Sequence, residues 1–180
     1  MMAVVMGVSA SDEETLDRAC DLGLAFQLSN IARDIAEDNE AGRCYLPEDW
    51  LIEMRIDPKN IMDPARRDAL IVLVNRLCER AADYEASARV GAAALSFRSR
   101  WAVLSAAGIY GDIARKVKAS NGKSLNERIY TSKAAKLRWV SKAFLQALFK
   151  PRYRERGSLW TRDHSFDPVT SQGQNLLHID

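Results

Sequence analysis

Gln27, Asn30, Asp34 and Asp38 recur at helical spacing in the run QLSNIARDIAED. On a helix turning about 100° per residue they fall within an arc of roughly 80°, one above another. Two carboxylates and two carboxamides offer oxygen ligands and hydrogen bonds but no thiolate or imidazole. Such a set suits a hard divalent cation, Mg2+ or Mn2+, which takes one or two carboxylates and completes its shell with water and substrate phosphates. Carboxylates four residues apart repel by about 0.2–0.5 kcal/mol on an exposed helix, and by more as the dielectric falls. The pair is therefore either part of a solvated stripe or an enclosed pair that needs a cation. Leu22, Leu24, Ala25, Phe26, Leu28, Ile31, Ala32 and Ile35 fill most of the other directions, and the upstream part of the arc carries Leu16, Cys20 and Gly23. Neighbouring helices should thus surround this one, with the polar line facing an internal space.

The elements that must hold the line are helical. Ser11 and Glu14 form a capping-box pattern, and the apolar periodicity then runs to Gly42 without proline. Residues 41–62 contain Gly42, Pro47 and Pro58 and read as a connection with one short helix after Pro47, placed to cover a cavity mouth. Asp63 and Pro64 open a second long helix, a third runs through RWAVLSAAGIYGDIARKV, and Ser132 caps a fourth that ends at Pro151. No strand pattern of consequence is present, so the fold class is all-α. Residues 1–149 read as one domain and 150–180 as a polar, mobile tail. The tail's arginines with Trp160 suit a peripheral contact with an anionic membrane surface, although a solvated tail is the simpler reading.

Composition narrows the function. A chain of 180 residues with net charge +2 and no interleaving of aromatic and basic residues does not favour nucleic acid as a partner. Three cysteines without metal spacing point to a reducing compartment, the cytoplasm or, in a plant, the plastid. No GxxxxGK[ST] or strand-linked GxGxxG occurs, which removes nucleotide kinases and dehydrogenases.

The stretch LGLAFQLSNIARDIAEDNEAGRCYLPEDWL closely resembles the second aspartate-rich region of the squalene and phytoene synthases. IYGDIARKV and ERIYTSKAAKL resemble later segments of that family, so the likeness runs from Met1 to about Phe149. It implies an isoprenoid-synthase helical bundle around a deep apolar pocket, with Mg2+ and diphosphates at its mouth. On this basis Asn30, Asp34 and Asp38 would ligate the metal, and Asp34 and Asp38 would be catalytic. Gln27 and Arg33 would meet the diphosphate, Tyr110 would line the substrate site, and Arg43 and Tyr45 would stand near the mouth. An exterior ion pair fits Arg33 equally, and a core position fits Tyr110 equally.

The implied reaction joins two geranylgeranyl diphosphates head to head into phytoene through a cyclopropyl intermediate, with no NADPH. The alternatives are a squalene or dehydrosqualene synthase using farnesyl diphosphate, or a non-catalytic helical scaffold. The family's other aspartate-rich helix is absent, and DEETLD, lying in a first helical turn where acids suit the dipole, does not replace it. MMAVVMGV also reads as the last turns of a helix. The expectation is a bundle truncated at its N-terminus, the C-terminal larger part of a synthase, inactive without the missing N-terminal part of the same domain.

Overall fold

Caps and prolines determine where the helices begin. The computed structural model describes residues 2–149, 151, 153–157 and 159–161. Among them are helices α1 (Met2–Val5), α2 (Glu13–Glu40), α3 (Glu48–Met54), α4 (Arg67–Gly91), α5 (Phe97–Ala119) and α6 (Lys133–Ala147), with 3-10 turns at Pro64–Arg66, Ala92–Ala94 and Lys123–Leu125 and no strand. The all-α expectation holds. The cap of α2 lies one residue later than the sequence pattern suggests. Asp12 accepts from the Thr15 amide at 3.1 Å, while the Ser11 hydroxyl pairs with that of Ser9. Asp63 accepts from the Ala65 amide and Ser132 from the Ala135 amide, as their positions before the helices predict.

Helices α4 and α5 lie against α2, and α6 lies against α5. Leu70, Leu73 and Leu77 of α4 meet Ala32 and Ile35 of α2 and Ile113 and Val117 of α5. Leu46, Leu51, Ile56 and Ile61 fold the 41–62 connection onto this core and bury it at one end. A buried leucine cut to alanine here costs about 2–5 kcal/mol. Ala143 and Ala147 of α6 meet Leu104 of α5 and Ala92 of the preceding turn. Gly108 lets the Trp139 ring approach so closely that a Cβ there would stand 2.6 Å from the indole.

The α2–α4 seam also contains a polar network. Asp21, fully buried, accepts from Ser87 Oγ at 2.6 Å and from Arg156 Nη2 and Nε at 2.8 and 2.9 Å. Arg156 also reaches Asp17, and buried Arg18 donates to Ser87 Oγ and to the Arg154 carbonyl. The Trp160 amide donates to the Tyr84 hydroxyl. Arg154, Arg156 and Trp160, expected in a mobile tail, are therefore held against α2 and α4, because Asp17 and Asp21 are buried carboxylates that need a cation. Residues 150, 152, 158 and 162–180 of the expected tail lie outside the described residues.

Removing the cation of a buried ion pair costs about 3–5 kcal/mol because the carboxylate is left uncompensated. Arg156→Met should lower the stability of the full protein by about that amount in urea denaturation, and adding Asp21→Asn should recover part of it. An unchanged midpoint for the single variant would show that the 153–161 segment does not engage α2 in solution.

Candidate functional site

Two faces of α2 diverge along its length. Asp17, Asp21, Ala25, Ser29, Ala32 and Ile35 are buried against α4 and α5. Asn30, Asp34 and Asp38 emerge half-buried at the edge of that interface, and Gln27 is exposed. The polar line, expected to face an internal space, is thus half-buried among the described residues. Among the described elements α4, α5 and the Lys123–Leu125 turn pack on α2, and none of them covers the Gly23–Gln27 side.

Guanidinium groups meet the acids of the line. Arg33 grips its neighbour Asp34 through both arms, Nε to Oδ1 at 2.7 Å and Nη2 to Oδ2 at 2.5 Å. A side chain whose spoke points away from Asp34 thus curls back to it, a reach that a long planar guanidinium permits. Arg128, from the segment before α6, places Nη2 3.0 Å from Asp34 Oδ1 and Nη1 3.4 Å from Glu37 Oε1. Arg43 holds Asp38 Oδ1 at 3.1 Å, and its amide donates to the Asp38 carbonyl. Arg43, Tyr45 and Asp38 line one small cleft with Ile31, Ile35 and Ile61, which places the two weaker candidates beside the polar line.

These contacts depress the Asp34 carboxyl below its ordinary value of 3.8, first through the Arg33 hydrogen bond, against the opposing effect of burial, and then through the charges of Arg33 and Arg128. The same hydrogen bond raises Arg33. Asp34 is therefore ionised at neutral pH and available as an anionic oxygen ligand.

Tyr110, half-buried on α5, stacks on Phe26 with centroids 4.1 Å apart and planes at 23°. Phe26 also borders an apolar cavity of about 330 Å3 lined by Met6, Ala19, Leu22, Val103 and Ala106. The cavity sits along the first half of α2 and the acids along the second, with Phe26 and Asp34 about 12 Å apart along the axis. The cavity and the acids thus occupy successive stretches of one helix, and Phe26 links the cavity lining to the Tyr110 ring.

The donors on the line are all oxygens, which fits a hard cation. The described residues contain no group of three or more His, Cys, Asp or Glu side chains that could hold a metal ion. Two carboxylates and the Asn30 amide would hold such an ion only with oxygens supplied by water or a phosphorylated ligand. Sequence reasoning missed Arg128 and Phe26. Arg128 lies 94 residues beyond Asp34, and no local pattern links the two. Phe26 read as one of several core residues.

The model of the squalene/phytoene synthase family matches residues 1–135. The chain is 47% identical over 165 residues to a 15-cis-phytoene synthase of Enterobacter agglomerans, covering 90% of the chain and 55% of that relative. It is 46% identical over 148 residues to the 15-cis-phytoene synthase of Pantoea ananas, covering 82% and 47%. It is 43% identical over 173 residues to that of a Paracoccus strain, covering 91% and 53%. The chain spans about half the length of the curated relatives it matches.

A carboxyl depressed in the fold stabilises it above the unfolded pKa and loses that contribution as pH falls below about 3.8 through the folded value. For a partly exposed pair this is about 1 kcal/mol or less. Arg33→Gln should shift the Asp34 titration, followed by carboxyl NMR, upward toward its ordinary value, and Arg128→Gln should shift it less. An Asp34 midpoint unmoved by Arg33→Gln would show that the two do not pair in solution.

Proposed function

The chain belongs to the squalene/phytoene synthase family, and on that premise we propose that the whole protein condenses two geranylgeranyl diphosphates head to head into phytoene. The observation that carries this reading is the half-buried acidic line of Asp34 and Asp38, with Arg33, Arg43 and Arg128 against it, on a helix whose first half borders an apolar cavity. Similarity to 15-cis-phytoene synthases favours geranylgeranyl over farnesyl diphosphate.

Asn30, Asp34 and Asp38 would hold Mg2+ or Mn2+ together with diphosphate oxygens. When bound, the ion acts as a Lewis acid that stabilises charge building on a departing diphosphate. The arginines provide the complementary half of an exchange. Each is paired with a carboxylate in the ligand-free arrangement, and each can turn its guanidinium to phosphate once the carboxylates have another cation. Charge stays balanced throughout. Gln27, exposed on α2, would hydrogen-bond the diphosphate.

The reaction then needs little from the protein beyond placement and dryness. One allylic C–O bond breaks with its electron pair leaving on diphosphate, and the second chain's double bond attacks the resulting cation to give the cyclopropyl intermediate. Loss of the second diphosphate and rearrangement give phytoene, so that two diphosphates and two protons leave in all. The Phe26–Tyr110 stack presents aromatic surface at the edge of the apolar cavity, suited to a passing carbocation. No reductant is consumed, so NADPH has no role.

Asp34→Asn in the full protein should cut turnover by about 100-fold or more while leaving the melting temperature without metal unchanged or higher, because the variant loses an anionic oxygen ligand but also relieves repulsion along α2. Hydrocarbon analysis after incubation with Mg2+ and geranylgeranyl diphosphate, without NADPH, should give phytoene in the wild type and none with EDTA. Squalene or dehydrosqualene from farnesyl diphosphate as the main product would overturn the substrate assignment. Retained turnover in Asp34→Asn with a large loss of stability would overturn its catalytic role.

A further inference from the structure

The apolar cavity follows α2 for about three turns, from Thr15 and Arg18 to Phe26. Arg18 is the one charged residue among the described residues that line it. Its guanidinium turns to groups outside that lining. It donates to Glu14 Oε1 at 2.9 Å, to Ser87 Oγ at 3.1 Å and to the Arg154 carbonyl at 2.8 Å, and it lies 5.4 Å from the centroid of the Tyr153 ring. The aliphatic stem is therefore the part of Arg18 that borders the cavity. Gly91, the last residue of α4, packs on this stem: a Cβ added there would stand 2.6 Å from Arg18 Cβ and 3.2 Å from Cδ. Anchored at its head and pressed by Gly91 along its length, the stem cannot swing aside.

Length shows what such a wall would stop. Arg18 precedes Asp34 by four and a half helical turns, about 24 Å along the axis. A divalent ion and a diphosphate at Asp34 would take up about 5 Å of this, which leaves about 19 Å. Carbon–carbon bonds of about 1.5 Å at tetrahedral angles advance about 1.25 Å each, so the main chain of an extended geranylgeranyl group spans about 19 Å and that of a farnesyl group about 14 Å. Running back along α2 from Asp34, the longer chain ends at Arg18. The shorter one ends near Leu22, about one helical turn before it.

We propose that Arg18 is a specificity-determining residue, its stem being the stop against which the last isoprene unit of a geranylgeranyl chain comes to rest. The proposal rests on the reaction assigned above and adds to it what measures the chain. Ala19 and Ala92, which line the cavity with Arg18, are small enough to leave room for that last unit. The segment of Tyr153 and Arg154 stands behind the wall and holds its head, which gives this part of the chain a role in substrate choice. The wall can also be altered without stranding a buried charge. Glu14, the acid paired with Arg18, has a side chain 54% exposed, and Asp21 keeps Ser87 and Arg156 when Arg18 is removed.

The test gives the full protein Mg2+ and, separately, farnesyl, geranylgeranyl or geranylfarnesyl diphosphate, each one isoprene unit longer than the last, and measures kcat/KM for the hydrocarbon formed. Arg18→Ala, which removes the wall, should raise the ratio for geranylfarnesyl over geranylgeranyl diphosphate about tenfold or more. Ala19→Phe, which fills the space beside the wall, should lower the ratio for geranylgeranyl over farnesyl diphosphate by about as much. Arg18→Met, with an apolar stem of similar length and no charge, should move the ratios less than Arg18→Ala does. Ratios between substrates do not depend on the fraction of enzyme that is folded, and Ala19→Phe leaves Arg18 and its partners in place. A phytoene-forming wild type whose ratios are unmoved by Arg18→Ala and Ala19→Phe, or whose activity falls equally on all three substrates, overturns this proposal and leaves the reaction assigned above standing. Arg18→Met shifting the ratios as far as Arg18→Ala would show that the stem is not the stop and would also overturn it. A wild type that forms no phytoene from geranylgeranyl diphosphate overturns the assigned reaction and this proposal with it.

Discussion

The long helix α2 carries acids into a bundle whose interior cannot hold them unaccompanied, and the rest of the structure is arranged around that constraint. Moving a carboxylate out of water costs several kcal/mol unless a cation and hydrogen bonds accompany it. Each buried or half-buried carboxylate along the helix is met accordingly: Asp17 and Asp21 by Arg156, Asp34 by Arg33 and Arg128, and Asp38 by Arg43. Two of these partners come from segments far along the chain, so meeting the acids also fixes where the 153–161 segment and the approach to α6 must lie.

The two ends of α2 use the same pairing for different purposes, and burial makes the difference. Asp21 is fully enclosed and shares its oxygens with Ser87 and Arg156, so exchanging partners there would strand a charge. Asp34 and Asp38 are only half-buried, and their arginines are partly exposed. Under the proposed function, a phosphate and a divalent ion would replace one pairing by two at that end without leaving any charge unmatched. A chain in which both ends were equally sealed would be a scaffold; the graded burial along one helix leaves one end open to chemistry.

Close approach between helices shapes the other side of the molecule. At Gly108 the missing side chain admits the Trp139 ring, and at Gly111 an added Cβ would fall on the Glu85 carboxylate, which holds Arg89 and Arg115. The Trp139 ring therefore shares the α5–α6 seam with Ala143 and Ala147. Leu137, Leu145, Leu148 and Phe149 are left exposed on the outer side.

The sequence by itself determined the helices and the chemistry of the polar line. Caps such as Asp63 and Ser132, proline positions and the 3.6-residue period are local properties, and they fix element type and most boundaries. The spacing of Gln27, Asn30, Asp34 and Asp38 likewise puts them on one face whatever surrounds the helix. Which way that face looks, and which cations answer it, were decided only by the tertiary structure. Arg128 and Arg156 reach α2 across 94 and 135 residues from Asp34 and Asp21, and no periodicity encodes such a meeting. The same holds for the Phe26–Tyr110 stack and for the outward leucines of α6. Periodicity shows that a helix has an apolar side, but whether that side meets a neighbour depends on where the neighbours pack.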